Sequence, residues 1–185
     1  MQLVILDRDG VVNHDSAEFI KSPDEWVPIH GSLESISRLT KAGYHVIIAT
    51  NQSGIARGLL DIDTLNRIHN KMLEQLGDLG GAIDAIFFCP HGPGDDCRCR
   101  KPRTGLLEEI AARLGIKLVD VPMVGDSLRD LQAARSVGGR AVLVRTGKGE
   151  ITLADPDPLL DGLEVYDDLA AFTDALLSEP EDATG

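Results

Sequence analysis

The sequence predicts an α/β fold built on a mainly parallel sheet. Two observations carry that expectation. Short apolar runs alternate with longer amphipathic stretches whose apolar residues recur every three or four positions. Clusters of carboxylate, hydroxyl and amide side chains follow directly after several of the apolar runs, where open parallel sheets place their ligands. The chain has 185 residues and shows no internal repeat and no long linker. One domain is therefore expected over residues 1–178, followed by a flexible polar tail over 179–185.

The elements follow in order. Leu3 to Leu6 is a short apolar run and reads as a buried strand. Ser32 to Lys41 places Leu33, Ile36 and Leu39 on one helical face, and Gly43 stops it. His45 to Ala49 is a second strand. Asp61 to Leu76 is a second helix, with Leu65, Ile68, Met72 and Leu76 along one side. Ala85 to Phe88 is a third strand, followed by an irregular stretch rich in Gly, Pro and charge up to Arg103. Thr104 precedes a helix from Gly105 to Leu114 as its N-cap. Val121 to Val124 is a strand, Arg129 to Val137 a helix, and Ala141 to Val144 a strand. A short strand at Glu164 to Tyr166 and a helix from Asp168 to Leu177 complete the pattern.

The formal net charge is −12, from 30 acidic and 18 basic side chains. Nucleic-acid binders usually present a basic face, so DNA or RNA is not the expected partner. No apolar run is long enough to span a bilayer, and no basic n-region opens the chain. A cytoplasmic, monomeric protein with no membrane partner is the expectation. Should the ligand be an anion, local cations or a divalent metal must overcome the field of the whole chain.

Asp7 and Asp9 follow the first strand, with Gly10 after them. Taken alone the pair reads equally well as an Asx-turn with solvated acids. Two carboxylates at a buried strand end can also hold magnesium, which prefers oxygen ligands. One carboxylate can serve as a nucleophile and the other as an acid or base. Thr50, Asn51, Gln52 and Ser53 follow the second strand and offer hydrogen-bond donors to a phosphate. Lys101 offers a point charge. Asp126 follows the fourth long strand, with Ser127 next and Asp130 one turn on. Each of these has an ordinary alternative: a polar turn, a solvated lysine, an N-cap. Their joint placement after strands favours a phosphate and metal site.

Leu6-Asp7-Arg8-Asp9-Gly10-Val11-Val12-Asn13, Thr50-Asn51-Gln52-Ser53-Gly54-Ile55-Ala56-Arg57-Gly58, Cys97-Arg98-Cys99-Arg100-Lys101-Pro102 and Gly125-Asp126 together resemble the haloacid dehalogenase superfamily of phosphatases. The longer strings are similar to its heptose bisphosphate phosphatase branch, whose near relatives are histidinol phosphatases. The resemblance runs from about Leu3 to Gly149. It implies a Rossmann-like three-layer sandwich. It also implies that Asp7 is the nucleophile, that Asp9 is the acid and base, and that Thr50 and Lys101 hold the phosphoryl group. Magnesium would rest on Asp7, the Asp9 carbonyl and Asp126, with Asp130 behind them or approaching the metal itself. Asp15, Ser16, Ala17 and Glu18 would contact the sugar, and Asn51, Gln52, Ser53 and Ser127 count among the substrate-binding residues. Arg100 would recognise the substrate. Ser127 stands where some relatives have lysine, which leaves a charge contact in question. The implied substrate is a small phosphorylated sugar. Histidinol phosphate is the alternative substrate, and a non-catalytic phospho-ligand binder the alternative of another class.

The three cysteines, Cys89, Cys97 and Cys99, lie within eleven residues of one another, and His91 joins them as C-x-H-x5-C-x-C. Three thiolates and an imidazole make a closed tetrahedral zinc set, which reads as structural over the loop 89–100. Only forty residues separate Asp9 from Thr50, so no separate cap domain is expected. The loops from Asn13 to Ile29 and from Cys89 to Arg100 should border an open site, with Trp26 packed inside the first.

Overall fold

The computed structural model describes residues 1–179. Its six strands are β1 (Leu3–Leu6), β2 (His45–Asn51), β3 (Ala85–Cys89), β4 (Pro122–Gly125), β5 (Arg140–Val144) and β6 (Glu164–Tyr166). They form one sheet in the order β3-β2-β1-β4-β5-β6, with every neighbouring pair parallel. The helices are α1 (Ser32–Lys41), α2 (Ile62–Asp78), α3 (Gly105–Leu114), α4 (Leu128–Ser136), α5 (Gly149–Leu153) and α6 (Leu169–Ser178).

Side chains alternate across the buried strands and so make two cores. Val4 and Leu6 of β1, with Val46 and Ile48 of β2, face α1, α2 and α6. Leu3, Ile5, Ile47 and Ala49 face α3 and α4. Period-two alternation on a sheet covered on both sides gives the three-layer sandwich that the sequence predicts. The connection from β1 to β2 holds a single 3-10 turn (Pro23–Glu25) and α1, and no cap domain is present among the described residues.

Several details differ from expectation. β2 and β3 run on to Asn51 and Cys89, so Thr50, Asn51 and Cys89 are the last strand residues rather than the first loop residues. The five-residue α5 and the 3-10 turn at Pro158–Leu160 are additions, too short to leave an amphipathic period. Trp26 leaves its loop and is fully buried in the core beneath α1 and α2, with the Lys71 ammonium 5.9 Å from its ring. Within the expected tail, Glu179 is tied to Arg140 by an ion pair of 2.6 Å, and residues 180–185 lie outside the described residues.

β1 and β4 are neighbours, and the chain winds outward from them in both directions. This is the switch point of the sheet, where a crevice opens beyond the strand ends. Asp7 and Asp126 each follow one of these two strands.

Candidate active site

Asp7, Asp126 and Asp130 bring one carboxylate oxygen each to within 4.8 Å of the others. The loops that carry them are packed backbone to side chain. Gly10 has φ +84°, and a Cβ there would collide with the Asp126 carboxylate. Only glycine fits that close approach without displacing the carboxylate.

Three acids crowded together in a buried crevice are costly to ionise. Burial, reinforced by Asp7 and Asp130, pushes Asp126 up to about 8, although it accepts a 2.8 Å hydrogen bond from the Lys148 amide. Burial also raises Asp7, to about 6, against the pull of Lys101. Lys101 is the cation on hand. Its ammonium lies 3.1 Å from Asp7 Oδ1 and 2.5 Å from Asp130 Oδ1, and it donates to the Ala49 carbonyl at 2.7 Å. Burial opposes its charge, but Asp130 and Asp7 outweigh burial and hold the ammonium protonated. Asp130, expected behind the metal ligands or approaching the metal itself, brings a carboxylate oxygen into the converging set. It also accepts from the Ser127 hydroxyl at 2.6 Å and the Ser127 amide at 3.1 Å, closing a capping box on α4.

Asp9 is in a different environment. Its carboxylate meets the Arg8 guanidinium at 2.8 Å, the Asn13 amide at 2.9 Å and the Gln52 amide at 2.9 Å. Burial opposes ionisation, yet Arg8 and these donors hold the group below the usual carboxylate range. Arg8 is fully buried and its other edge lies 3.2 Å from His69 Nε2, itself pushed down to about 4 mainly by burial. His69 is therefore neutral at pH 7 and accepts from Arg8. The Asp9 carboxylate is not one of the three converging carboxylates.

The remaining expected residues fall into two groups. Asp15, Ser16, Ala17, Thr50, Asn51, Gln52, Ser53, Arg100 and Ser127 line the same cavity as Asp7, Asp9 and Lys101, a space of about 270 Å³. Several of them are engaged within the protein. Asn51 brackets the Lys101 backbone, donating to its carbonyl at 3.1 Å and accepting from its amide at 3.0 Å. Gln52 donates to Thr50 Oγ1 at 3.0 Å as well as to Asp9. Ser127, on the same wall, is also the N-cap just described. Glu18 does not line the cavity and is exposed. Sequence reasoning missed Phe19, Arg57, Arg129 and Lys148, all on the cavity wall. Arg57 was within reach, because it stands inside the string that carries the resemblance. Lys148 reaches Asp15 at 2.8 Å across more than a hundred residues of sequence, which no local pattern signals.

The cysteine loop closes the same mouth. Cys89 Sγ lies 3.1 Å from Cys99 Sγ and 3.8 Å from Cys97 Sγ, and His91 Nδ1 lies 3.2 Å from Cys99 Sγ. A tetrahedral zinc with Zn–S of about 2.3 Å has edges of about 3.8 Å. The four donor atoms therefore converge within 4.8 Å of one another, the Cys89–Cys97 edge matching that spacing and the Cys89–Cys99 edge falling short of it, and no disulfide competes for them. Burial is the main cause that pushes the Cys89 thiol up to about 12, so without a metal Cys89 stays a thiol at neutral pH.

A parallel sheet with a carboxylate at the end of a central strand, a buried lysine and two further acids after the neighbouring strand is an arrangement that suits a phosphatase. Comparison with known proteins gives the same class. Residues 3–133 match the polynucleotide kinase 3 phosphatase family and residues 98–171 match the HAD-hydrolase-like family. The D-glycero-beta-D-manno-heptose-1,7-bisphosphate 7-phosphatase of Bordetella bronchiseptica is 57% identical over 179 residues, covering 97% of this chain and 99% of that protein. The protein of the same name from Pseudomonas aeruginosa is 51% identical over 95% of this chain and 97% of its own. The crystal structure of D,D-heptose 1,7-bisphosphate phosphatase from B. bronchiseptica, complexed with magnesium and phosphate, superposes with a TM-score of 0.94 at 57% identity over 97% of this chain and 100% of that one. The chain belongs to the haloacid dehalogenase superfamily of phosphatases and, within it, to the heptose bisphosphate phosphatase family.

Proposed function

We propose that the protein hydrolyses the 7-phosphate of D-glycero-β-D-manno-heptose 1,7-bisphosphate, leaving the sugar 1-phosphate. It would thereby supply the heptose of bacterial lipopolysaccharide. The observation that carries the proposal is the placement of Asp7 at the switch point, on the shared Lys101 and facing Asp126, in a chain 57% identical to a relative of that name.

Asp7 would attack phosphorus. Its oxygen–phosphorus bond forms as the bond to the sugar oxygen breaks, giving an aspartyl phosphate and a sugar hydroxyl. Water would then attack the same phosphorus and release inorganic phosphate and free Asp7. Lys101 and Thr50 would hold the equatorial oxygens, where their charge and hydroxyl offset what builds up in the transition state. Lys101 is already fixed for this by Asn51 and the Ala49 carbonyl.

Asp9 would give its proton to the departing sugar oxygen and take one back from the attacking water. In the resting site Arg8 keeps it ionised. An incoming phosphate adds negative charge beside it and so favours protonation. Asn13 and Gln52 fix its orientation through either state.

Asp7, Asp126 and the Asp9 carbonyl would hold a magnesium ion, with Asp130 adjoining. The fit rests on the three converging oxygens and on an Asp126 pushed up to about 8 by burial and its neighbours, the mark of a carboxylate that needs a cation. When bound, the ion neutralises charge on the nucleophile and the phosphoryl oxygens. Cys89, His91, Cys97 and Cys99 would hold a structural zinc, and the loop they close carries Arg100 against the His91 carbonyl at 3.2 Å.

Initial rates on heptose 1,7-bisphosphate and on histidinol phosphate test the assignment. Faster turnover of the bisphosphate is expected; faster turnover of histidinol phosphate overturns it.

A further inference from the structure

The buried face of α2 carries Leu65, Ile68, His69, Met72 and Leu76. Four of these are the apolar side chains that a helix packed on a sheet requires. The fifth is an imidazole at a position the stripe would fill with leucine. His69 is buried, with the Phe88 ring tilted against it at a centroid distance of 6.4 Å. A polar group buried in a core has to be explained by its partner.

That partner is Arg8, the only arginine buried among the described residues. A guanidinium has five N–H donors and no acceptor, so burial requires acceptors on every side. Nε and Nη2 donate to Asp9 Oδ1 at 3.0 and 2.8 Å, and Nη2 also reaches Asp9 Oδ2 at 3.1 Å and Gln52 Oε1 at 3.2 Å. Gln52 in turn donates to Asp9 Oδ2 at 2.9 Å. Every bond on this side of Arg8 therefore ends on Asp9 directly or through one amide. Nη1 has one partner among the described residues, His69 Nε2 at 3.2 Å. The neutral imidazole accepts there, which places its own proton on Nδ1.

The geometry gives the histidine a purpose beyond satisfying a donor. Neither Arg8 nor His69 lines the cavity, whereas Asp9 does. Arg8 is thus no substrate ligand, and the one functional group it touches is Asp9. A guanidinium is planar and rigid, so a pull on one edge turns the other. Without an acceptor at Nη1, the group would tilt toward another oxygen and the fork on Asp9 would tilt with it.

We propose that His69 is a positioning residue for the proton transfer to the departing sugar oxygen: by holding the inner edge of Arg8 it fixes the fork that aims Asp9. This role rests on the reading of Asp9 as the acid and base.

The test is a mutant cycle on heptose 1,7-bisphosphate with magnesium present. His69→Leu removes the acceptor and completes the apolar stripe; His69→Phe keeps the ring and takes its place should the leucine variant not fold. His69→Gln puts an amide oxygen near the place of Nε2. Misaiming Asp9 should lower kcat on the order of tenfold in His69→Leu, with KM within about twofold of wild type because the cavity wall is untouched. His69→Gln should recover most of the loss. With p-nitrophenyl phosphate, whose phenolate departs without a proton, kcat/KM should change by less than about twofold. In an Asp9→Asn background, His69→Leu should cost nothing further. Equal losses on the two substrates, a full further loss on top of Asp9→Asn, or a His69→Gln as slow as His69→Leu would overturn the proposal. If Asp9→Asn selectively slows the sugar substrate while the His69 variants keep wild-type rates, His69 has no such role and the reading of Asp9 stands. If Asp9→Asn slows both substrates equally, or neither, both fail.

Discussion

The floor and the mouth of the cavity are built on opposite principles. At the floor, Asp7, Asp126 and Asp130 converge in a buried crevice around a single buried lysine. At the mouth, Arg57 and Arg129 are exposed, Arg100 is half-buried, and no acid partners them among the described residues. The floor is acidic and starved of cations; the mouth is basic and starved of anions. A substrate with two phosphates and a divalent metal satisfies both. The difference also divides rigid chemistry from adjustable recognition. The floor hangs on strand ends and close glycine contacts, and the mouth on side chains that reach in from three connections.

Substitution at the floor should have the largest effects. Asp7→Asn removes the proposed nucleophile and should lower kcat on the order of 10⁴-fold or more while the thermal melt stays cooperative. Near-wild-type turnover would show that another group attacks phosphorus. Lys101→Met strips the shared cation from two buried carboxylates. It should destabilise the metal-free protein by roughly 3 kcal/mol, because breaking a buried pair leaves charge uncompensated. Denaturant titration with and without magnesium checks this, and the ion should restore part of the loss.

The cysteine cluster links floor and mouth, since its loop runs into Arg100 and Lys101. Elemental analysis of the purified protein should find one zinc per chain. Cys99→Ser or a strong chelator should lower kcat/KM on the order of tenfold or more and lower the melting temperature. A chain free of zinc with full activity would remove the metal from the account.

The floor should also respond to pH. Asp126 and Asp7 are held at about 8 and about 6, against 3.8 when unperturbed, so the folded protein binds protons that the unfolded chain has released. Their contribution to stability is present below about pH 3.8 and is lost as pH rises, through about 6 for Asp7 and about 8 for Asp126. Melts of metal-free protein should therefore fall across that range, and saturating magnesium should flatten the slope. The smallest effect is expected at Glu18, which lies off the cavity. Glu18→Ala should change stability by less than about 0.5 kcal/mol and KM by less than about twofold, as calorimetry and initial rates will show.

The floor is legible in the sequence and the mouth only half legible, for a physical reason. Asp7, Thr50 and Asp126 end or follow apolar runs, and a parallel sheet brings such residues together whatever the loops do. The cysteine cluster is legible because its donors are close in sequence. Arg129 and Lys148 carry no such local mark. Their partners and neighbours are set by how α4 and the loop after β5 pack over the crevice. Asn51 and Gln52 read as phosphate ligands in the sequence, but their amides position Lys101 and Asp9 first, a role that depends on register between β2 and its neighbours. Trp26 reads as a loop residue because an isolated aromatic gives no direction, whereas the core beneath α1 and α2 has room for it.

The most direct test of the central claim is to trap the phosphoryl group. Enzyme mixed with heptose 1,7-bisphosphate and magnesium, quenched in acid within one turnover and digested, should yield one phosphorylated peptide. That peptide should contain Asp7, and the phosphate should come from the 7-position of the sugar. A phosphoryl group on any other residue, or its complete absence together with full turnover by Asp7→Asn, would contradict the assignment.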